Sequence, residues 1–432
     1  MTRSLHPTTA AVVGGGLAGL ATAAFLARRG HAVTLFEKAG SLGGRAAAQE
    51  RGGFVLNQGP HALYRGGVAM EVLQELGVEP TGGVPQAAGG LALARGTSHA
   101  LPGGLVSLLT TSLLGIGGKL EIARTLAMLP RLDTAALAGV SVAQWVTEHL
   151  RDTTARQALE ALVRLASYAN APRELSAGVG LGQLQSALRH NVLYVDGGWQ
   201  TLVDALAAAA ADAGVRVRTD ARVEGLECDP VIRGVRLADG SVHHAGAVVV
   251  TTTPAHAASL SGDPSLSAWA QRVVPIMAAC LDVCLERLPR PRALFALGID
   301  EATYLSVHSA VARLAPRDGV LIQTARYLAP EENDATVEHD RQLEGMLDLV
   351  QPGWRTAVVH RRYLPRMIVV QALPTASAGG LEGRPDVRVA SVPGLYLAGD
   401  WVGPTGHLAD ASLASARAAA AAIEQDARAA AA

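Results

Sequence analysis

The 432-residue chain has almost no lysine, little cysteine and few aromatic rings, and each shortage removes a class of chemistry. Lys38 and Lys119 are its only lysines, so a Schiff base or lysine general base has two candidate positions at most. Three cysteines, Cys228, Cys280 and Cys284, are too few for a disulfide framework; they fit a reducing, cytoplasmic setting. No CxxC pair is present, which argues against dithiol reductase chemistry. Cys280 and Cys284, four apart in MAACLDVCLER, fall on one face of an expected strand and read as buried, inert thiols. A net charge of −1 gives no electrostatic reason to expect nucleic acid or an acidic membrane surface as partner. No histidine, cysteine or carboxylate cluster has metal-ligand spacing, so no metal is expected. Aromatic residues make up 4% against 49% hydrophobic, so alanine and glycine must fill the core, which favours close packing of helices on a sheet.

Two uncharged runs invite a membrane reading and both fail it. Residues 10–27 contain four glycines and few large apolar side chains, and the basic pair Arg28-Arg29 follows the run rather than preceding it. Residues 101–129 are the most lipophilic stretch, but Pro102 and five glycines interrupt it and Lys119, Glu121 and Arg124 follow. That stretch is expected to form a buried helical pair, with a lid over an apolar pocket or a surface touching membrane as the alternatives.

What is present is concentrated in residues 10–37, AAVVGGGLAGLATAAFLARRGHAVTLFE. A short apolar strand leads into Gly14-Gly15-Gly16-Leu17-Ala18-Gly19, which matches GxGxxG; an alanine-rich helix ends at Gly30, and a second strand ends on Glu37. Gly14 permits the turn, Gly16 lets backbone approach a pyrophosphate, and Gly19 lets the helix pack on the strand. The helix start offers free N–H groups to phosphate, and Glu37 can accept from ribose hydroxyls while disfavouring a 2′-phosphate. This is a dinucleotide-binding unit.

Farther on, a glycine-rich turn carries Gly43-Gly44-Arg45, and a strand and loop carry Asn57-Gln58-Gly59-Pro60-His61. A helix is expected over 68–76, helices over 141–190 with Ser141 as N-cap, and a turn at Asp196-Gly197-Gly198-Trp199. Strands follow at 215–218, 221–228, 234–237 and 247–251, two of them joined by Asp239-Gly240. Strands at 276–285, 320–327 and 366–373 suggest a separate sheet. Near the end, a strand runs into Gly399-Asp400, then a loop through Trp401, then a helix opening near Asp410. Gly178-Val179-Gly180-Leu181-Gly182 lacks a preceding strand and is no second nucleotide motif.

Taken together, these motifs resemble the FAD-dependent amine oxidase and phytoene desaturase superfamily, of the glutathione-reductase-like FAD fold, over nearly the whole chain. The resemblance implies an α/β fold: a Rossmann-like FAD-binding domain of parallel sheet and helices (1–75, 196–255 and 388–432), and a discontinuous α+β substrate domain (76–195 and 256–387). It implies non-covalent FAD held by Gly14, Gly15, Gly16, Leu17, Ala18 and Gly19, with Glu37 and Lys38 at the adenosine ribose and Val223 at the adenine. Gly43, Gly44 and Arg45 would line the pyrophosphate and ribityl chain, Gly399 and Asp400 would bond ribityl or phosphate groups, and the helix start after Leu408 would face the flavin. Gly59, Pro60 and His61 would lie beside the isoalloxazine.

The lysine common near flavin N5 in the amine-oxidase branch is absent from 273–284, and Trp401 supplies one aromatic where a pair forms the amine cage. The Gly-Pro-His triplet resembles the desaturase side, although the chain is short for a carotenoid desaturase. The expected reaction is dehydrogenation of a C–C or C–N bond in a lipophilic or polycyclic small molecule, with oxygen or a quinone as acceptor. The alternatives are an amine or amino-acid oxidase, a flavin-dependent isomerase, and a non-enzymatic flavin-binding partner. His61 is the candidate proton acceptor, with packing against the flavin as its other reading. His407 either points into the site or caps the last helix, and the remaining histidines read as surface residues. Aromatics such as Tyr168, Tyr194, Tyr304 and Tyr327 read as core.

Overall fold

Five short strands rich in valine and alanine lie side by side, all parallel; the inner ones are buried on both faces as a covered sheet requires, while the edge strand Arg216–Arg218 is exposed. Their order is Arg216–Arg218, Ala32–Phe36, Thr9–Val13, Ala247–Val250 and Leu395–Leu397. The computed structural model describes residues 9–86, 89–332 and 337–430; residues 1–8 and 431–432, the outer ends of the expected FAD-binding unit, lie outside the described residues. Strand alternation sends Ala10 and Val12 to one face and Ala11 and Val13 to the other. On the first face, helices Leu17–Arg28, Gln200–Asp212 and Ala409–Ala430 pack through Ala21, Ala24, Ala416, Ala419 and Ala420, all fully buried, so small side chains bring helices close to strands. The other face is covered by an antiparallel ribbon of Val223–Cys228, Ile232–Leu237 and Val242–His244, with Asp239-Gly240 in its turn.

A seven-stranded sheet stands apart, in the order Val358–Val370, Ile276–Leu285, Val320–Leu328, Thr303–Val307, Phe295–Gly298, Leu91–Ala94 and Thr97–Ala100. Helix Val337–Val350 covers one face, meeting Leu281, Val283 and Leu285 through Leu343, Leu347 and Val350. A helical layer built on Val142–His149, Thr153–Ser167 and Ala177–His190 packs against Ile276, Leu297 and Val370. Ser141 accepts from the Gln144 amide as the expected N-cap. The glycines of 178–182 lie inside the third of these helices, where a Cβ would come within 2.5 Å of the Thr134 carbonyl at Gly178 and 2.8 Å of Val163 Cγ1 at Gly180, so close packing explains these two.

Two expectations need correction, and four strands escaped the sequence reading. The strand expected at 366–373 runs from Val358 to Val370, because His360-Arg361-Arg362 hide its first half behind charges that are in fact paired: Arg361 with Asp340 and Glu344, Arg362 with Asp282. Four short strands at 91–100 and 295–307 carry too few residues for a readable period. The lipophilic stretch forms helices Leu105–Thr110 and Ile116–Met128, but they are not simply buried: Leu108 and Ile122 turn inward, while Val106, Leu109, Ile116 and Leu120 face outward. No helix among the described residues is long and apolar enough to cross a membrane.

One buried charge pair joins this sheet to the glycine-rich loops. Asp282, fully buried, stands opposite Arg362 on one neighbouring strand and Gln323 on the other. Its carboxylate accepts from Arg362 Nε at 2.9 Å and from Gln323 Nε2 at 3.0 Å, and Arg362 Nη2 also donates to the Asn57 carbonyl. Burial raises the Asp282 pKa, with Arg362 and Gln323 opposing. Asp282→Ala is expected to destabilise the protein by about 3–5 kcal/mol in urea unfolding, because it strands the Arg362 charge. The double variant Asp282→Leu/Arg362→Met should lose markedly less; equal losses would show that the charge itself is immaterial.

Candidate active site

The turn after the Thr9–Val13 strand uses its glycines for two different reasons. Gly14 has φ +112°, and a Cβ there would lie 2.7 Å from Thr251 Oγ1; at Gly19 it would lie 1.9 Å from the Gly14 carbonyl. These two are required by the protein's own packing. Gly16 is different: a Cβ there would meet only the Gly43 carbonyl, at 3.8 Å, and at Gly44 only the Gly16 Cα, at 3.9 Å. The two turns are tied by the Gly43 N–H on the Gly15 carbonyl (2.8 Å), leaving an open lip of bare backbone between them. Helix Leu17–Arg28 begins at this lip with no side-chain cap and no acid in its first turn, so the N–H groups of Leu17, Ala18 and Gly19 keep their positive field. The lip lies at the carboxyl ends of the strands, where the chain passes from one side of Thr9–Val13 to the other. An extended anionic group fits there, in the space that side chains would fill.

Glu37 borders the lip, accepting from the Gly15 amide at 2.7 Å and the Ala39 amide at 2.8 Å. Its carbonyl receives the Ala221 N–H, which brings Val223 and its strand to the same side, while Lys38 is exposed just beyond. At the other end of the lip, Arg45 clasps Asp400 with two 2.8 Å bonds and also donates to the Val369 carbonyl. The Gln371 amide adds a bond to Asp400 at 2.9 Å. Burial pushes the Asp400 carboxyl up, but Arg45, with the Gln371 amide and Arg384, more than offsets this and the net shift is downward. Both Asp400 oxygens are therefore engaged by protein, and the group turned to the lip is Arg45, whose side chain is 41% exposed. Gly399 precedes this acid with φ +154°, and its N–H donates to Ser415 in the last helix.

His61 sits where the lip meets the second sheet. Its Nδ1 lies 2.9 Å from the Gly59 carbonyl, which can only accept, so the neutral ring carries its proton on Nδ1 and keeps Nε2 as the basic atom. The ring meets Trp199 edge to face at 4.6 Å, and the Trp199 amide donates to Asn57 Oδ1 at 2.9 Å. Burial lowers the His61 pKa; the Gly59 and Arg45 backbones oppose this, and the Arg45 and Arg362 charges reinforce it. Gly59 (φ +78°) presses on the sheet, where a Cβ would be 2.9 Å from Cys280 Sγ and 3.0 Å from Met367 Cε. Pro60, between them, is buried.

Next to His61 lies a cluster that the sequence did not reveal. Tyr194 OH is 3.1 Å from Tyr304 OH and 3.2 Å from Ser306 Oγ, and Tyr304 OH is 3.0 Å from His308 Nε2. The His308 ring stacks on Tyr194 at 3.8 Å, and Tyr168 meets Tyr327 edge to face at 6.0 Å. The Tyr327 hydroxyl is buried with no hydrogen-bond partner among the described residues. Burial raises all four tyrosines and drives His308 down to about 3, helped by His61. The tyrosines were readable only as core, and His308 as a surface histidine; it is 1% exposed, and His339 is buried too. They come from separate elements: Tyr304 and Ser306 from Thr303–Val307, Tyr327 from its partner strand, Tyr194 from Val192–Val195 and Tyr168 from a helix end.

Two further readings are corrected. His407 neither enters the tyrosine cluster nor caps the last helix with its ring: Nε2 bonds the Ser167 carbonyl at 3.1 Å and Nδ1 faces Arg384 at 3.4 Å. It pins the tail loop to a helix end. Trp401 is no cage residue: it is fully buried, donates to the Thr252 carbonyl and stacks on Trp269 behind the parallel sheet. Leu408 adopts φ +56° immediately before the last helix, whose Asp410 reaches across to accept from the Ala69 amide at 2.8 Å.

With this geometry in hand, comparison with known proteins is informative. A family model described as flavin-containing amine oxidoreductase matches residues 17–279. The chain is similar to a 4,4'-diapophytoene desaturase of Staphylococcus haemolyticus, 45% identical over 67 residues, which are 16% of this chain and 13% of that protein. It is 29% identical over 274 residues, 59% of each chain, to a Mycobacterium tuberculosis protein assigned as a flavin-containing monoamine oxidase. It therefore covers less than two thirds of the length of these curated relatives. In fold it is similar to the crystal structure of an oxidoreductase from Methanosarcina mazei, with a TM-score of 0.75 and 19% identity over 95% of this chain and 99% of that one.

The buried histidines set a pH dependence. His308 titrates at about 3 and His407 at about 4 when folded, against about 6.5 when unfolded, so the unfolded chain binds more protons between these values. Their stabilisation is complete above about pH 6.5 and is lost as pH falls toward 4, at up to ~1.4 kcal/mol per pH unit for each. Asp410, raised to about 6 by burial, takes up a proton on folding below that pH and offsets one of the two. Urea midpoints should therefore fall between pH 6.5 and 4.5, and His407→Gln should flatten the slope. A flat wild-type profile would contradict this.

Proposed function

The chain belongs to the flavin-containing amine oxidoreductase family, and from that premise we propose that it dehydrogenates C–C or C–N single bonds of a lipophilic small molecule, using non-covalent FAD. One observation carries the reading: Gly59, whose carbonyl holds the His61 ring, presses on Cys280 and Met367, which pack with Tyr168, Tyr304 and Tyr327, while Arg45 at the end of the lip bonds the Val369 carbonyl of the same strand as Met367. A cofactor laid along the lip would end beside the buried tyrosine cluster.

In this reading Gly14, Gly15, Gly16 and the Leu17–Gly19 amides hold the pyrophosphate, and Glu37 with Lys38 borders the adenosine ribose. Val223 meets the adenine through its backbone. Gly43, Gly44 and Arg45 line the path toward the ribityl chain. Gly399 and Asp400 hold Arg45 in place, and the helix start after Leu408 lends its dipole to the far end. When bound, the flavin supplies the hydride acceptor. The chain's own residues orient the reacting C–H bond and exclude water. His61, neutral near pH 7 because burial lowers its pKa, takes the proton on Nε2 in a carbon–carbon desaturation. The four phenols remain protonated and can only donate to or accept from substrate.

The curated relatives split between the two bond types, one named for desaturation and one for amine oxidation. Amine oxidation is favoured by the tyrosine cluster, whose rings would attract an ammonium. Carbon–carbon desaturation is favoured by the absence of lysine from the Ile276–Leu285 strand and by the neutral His61. Oxygen or a quinone is the proposed electron acceptor.

The purified protein should show oxidised-flavin bands that bleach on anaerobic mixing with one class among polyenes, polycyclics and amines. Bound flavin that none of them bleaches would favour an isomerase or a structural role. His61→Asn should keep the flavin bands but slow a carbon–carbon desaturation by about 10²-fold or more; an unchanged rate would remove His61 as the base. Gly16→Ala should weaken flavin binding by about tenfold or more, ~1.4 kcal/mol, at an unchanged apoprotein Tm. Undiminished affinity would show that the lip is not the phosphate site.

A further inference from the structure

Helix Ile116–Met128 is apolar on both sides. It buries Gly118, Ile122 and Thr125 against the helical layer, yet it turns Ile116 (82% exposed) and Leu120 (67%) into solvent, four residues apart on one stripe. The preceding helix, Leu105–Thr110, adds Val106 (75%) and Leu109 (65%), three apart. Lys119 Nζ donates to the Leu109 carbonyl at 2.7 Å, which fastens the two helices so that both apolar stripes border one another. Four large side chains this exposed present on the order of 500 Å², at the upper end of the apolar patches that single-chain proteins carry.

The charges around the patch say what covers it. Residues 101–131 contain Lys119, Arg124 and Arg131 against one acid, Glu121. The Glu121 carboxylate is turned away, accepting from the Arg151 and Asp152 amides. Of the acids next along the chain, Asp133 and Asp152 likewise cap their own helices by accepting from Ala135 and Ala136 and from Ala155, and Glu148 accepts from Gln144 Nε2 at 3.0 Å. Arg124 and Arg131 remain exposed. A self-pairing of this face would bring two sets of cations together with no free carboxylate of the face to meet them. An anionic surface with an apolar interior satisfies both the cations and the aliphatic side chains. We infer that the face formed by Val106, Leu109, Ile116 and Leu120 docks on an anionic lipid bilayer, with Arg124 and Arg131 at the headgroups.

The docking is independent of the reaction proposed above, although the same helical layer packs through Leu165 toward Tyr168 and the tyrosine cluster. The test is flotation of the full chain with vesicles of phosphatidylcholine alone or with one quarter phosphatidylglycerol. Binding is expected to the mixed vesicles, less to the neutral ones, and to weaken with added salt. Ile116→Glu/Leu120→Glu should lower binding by about tenfold or more, and Ile116→Ser/Leu120→Ser should lower it too, both at unchanged Tm because the sites are exposed. Failure of the wild type to float with mixed vesicles would overturn the inference, as would variants that bind as well as the wild type. Concentration-dependent dimerisation that the variants abolish, without vesicle binding, would assign the face to a second copy instead.

Discussion

The buried pairing of Asp282 with Arg362 is the constraint on which the site's geometry rests. A carboxylate with no solvent access is tolerable only when its acceptor positions are filled, and here Arg362 and Gln323 fill them from the two neighbouring strands. The same guanidinium reaches the Asn57 carbonyl, the Asn57 side chain holds the Trp199 amide, and the Trp199 ring meets His61. Register in the seven-stranded sheet thus decides where a histidine on a distant loop stands. A shift of one residue would turn Asp282 to the other face of its strand and release the whole series.

The glycine lip obeys a different logic. It is built by removal: Gly14 and Gly19 yield to the protein's own backbone, while Gly16 and Gly44 leave volume that no protein atom takes. Arg45 closes one end of that volume and Glu37 the other, both already engaged with protein partners. The lip is therefore preorganised: its polar groups are held in place before anything binds, which lowers the ordering cost of binding.

How much of this could be read from the sequence follows from the range of the interactions. The turn at Gly14–Gly19, its flanking strands and Glu37 are set by neighbours within about thirty positions, and local spacing was enough to read them. The Ile276–Leu285 strand was legible for the same reason, being a continuous apolar run. The first half of Val358–Val370 was not, because its charges are compensated by partners on other elements. Likewise, Asp400 looked like a free ligand because Arg45, its partner, lies 355 residues away. His308 looked like a surface histidine because nothing beside it in sequence announces a fully packed site. Long-range pairing is the information a single sequence withholds.

The parallel sheet carries a consequence for how the protein comes into being. Its central strand, Thr9–Val13, pairs with Ala32–Phe36 early in synthesis, but its other neighbour is Ala247–Val250, which itself waits for Leu395–Leu397. At roughly 5–20 residues per second, the ribosome needs tens of seconds between the first pairing and the last. During that interval an apolar strand edge lies open, and the helix Ala409–Ala430 that seals the alanine-lined face has not been made. Strands of one sheet are thus made far apart in time, and the nascent chain needs protection from aggregation in between.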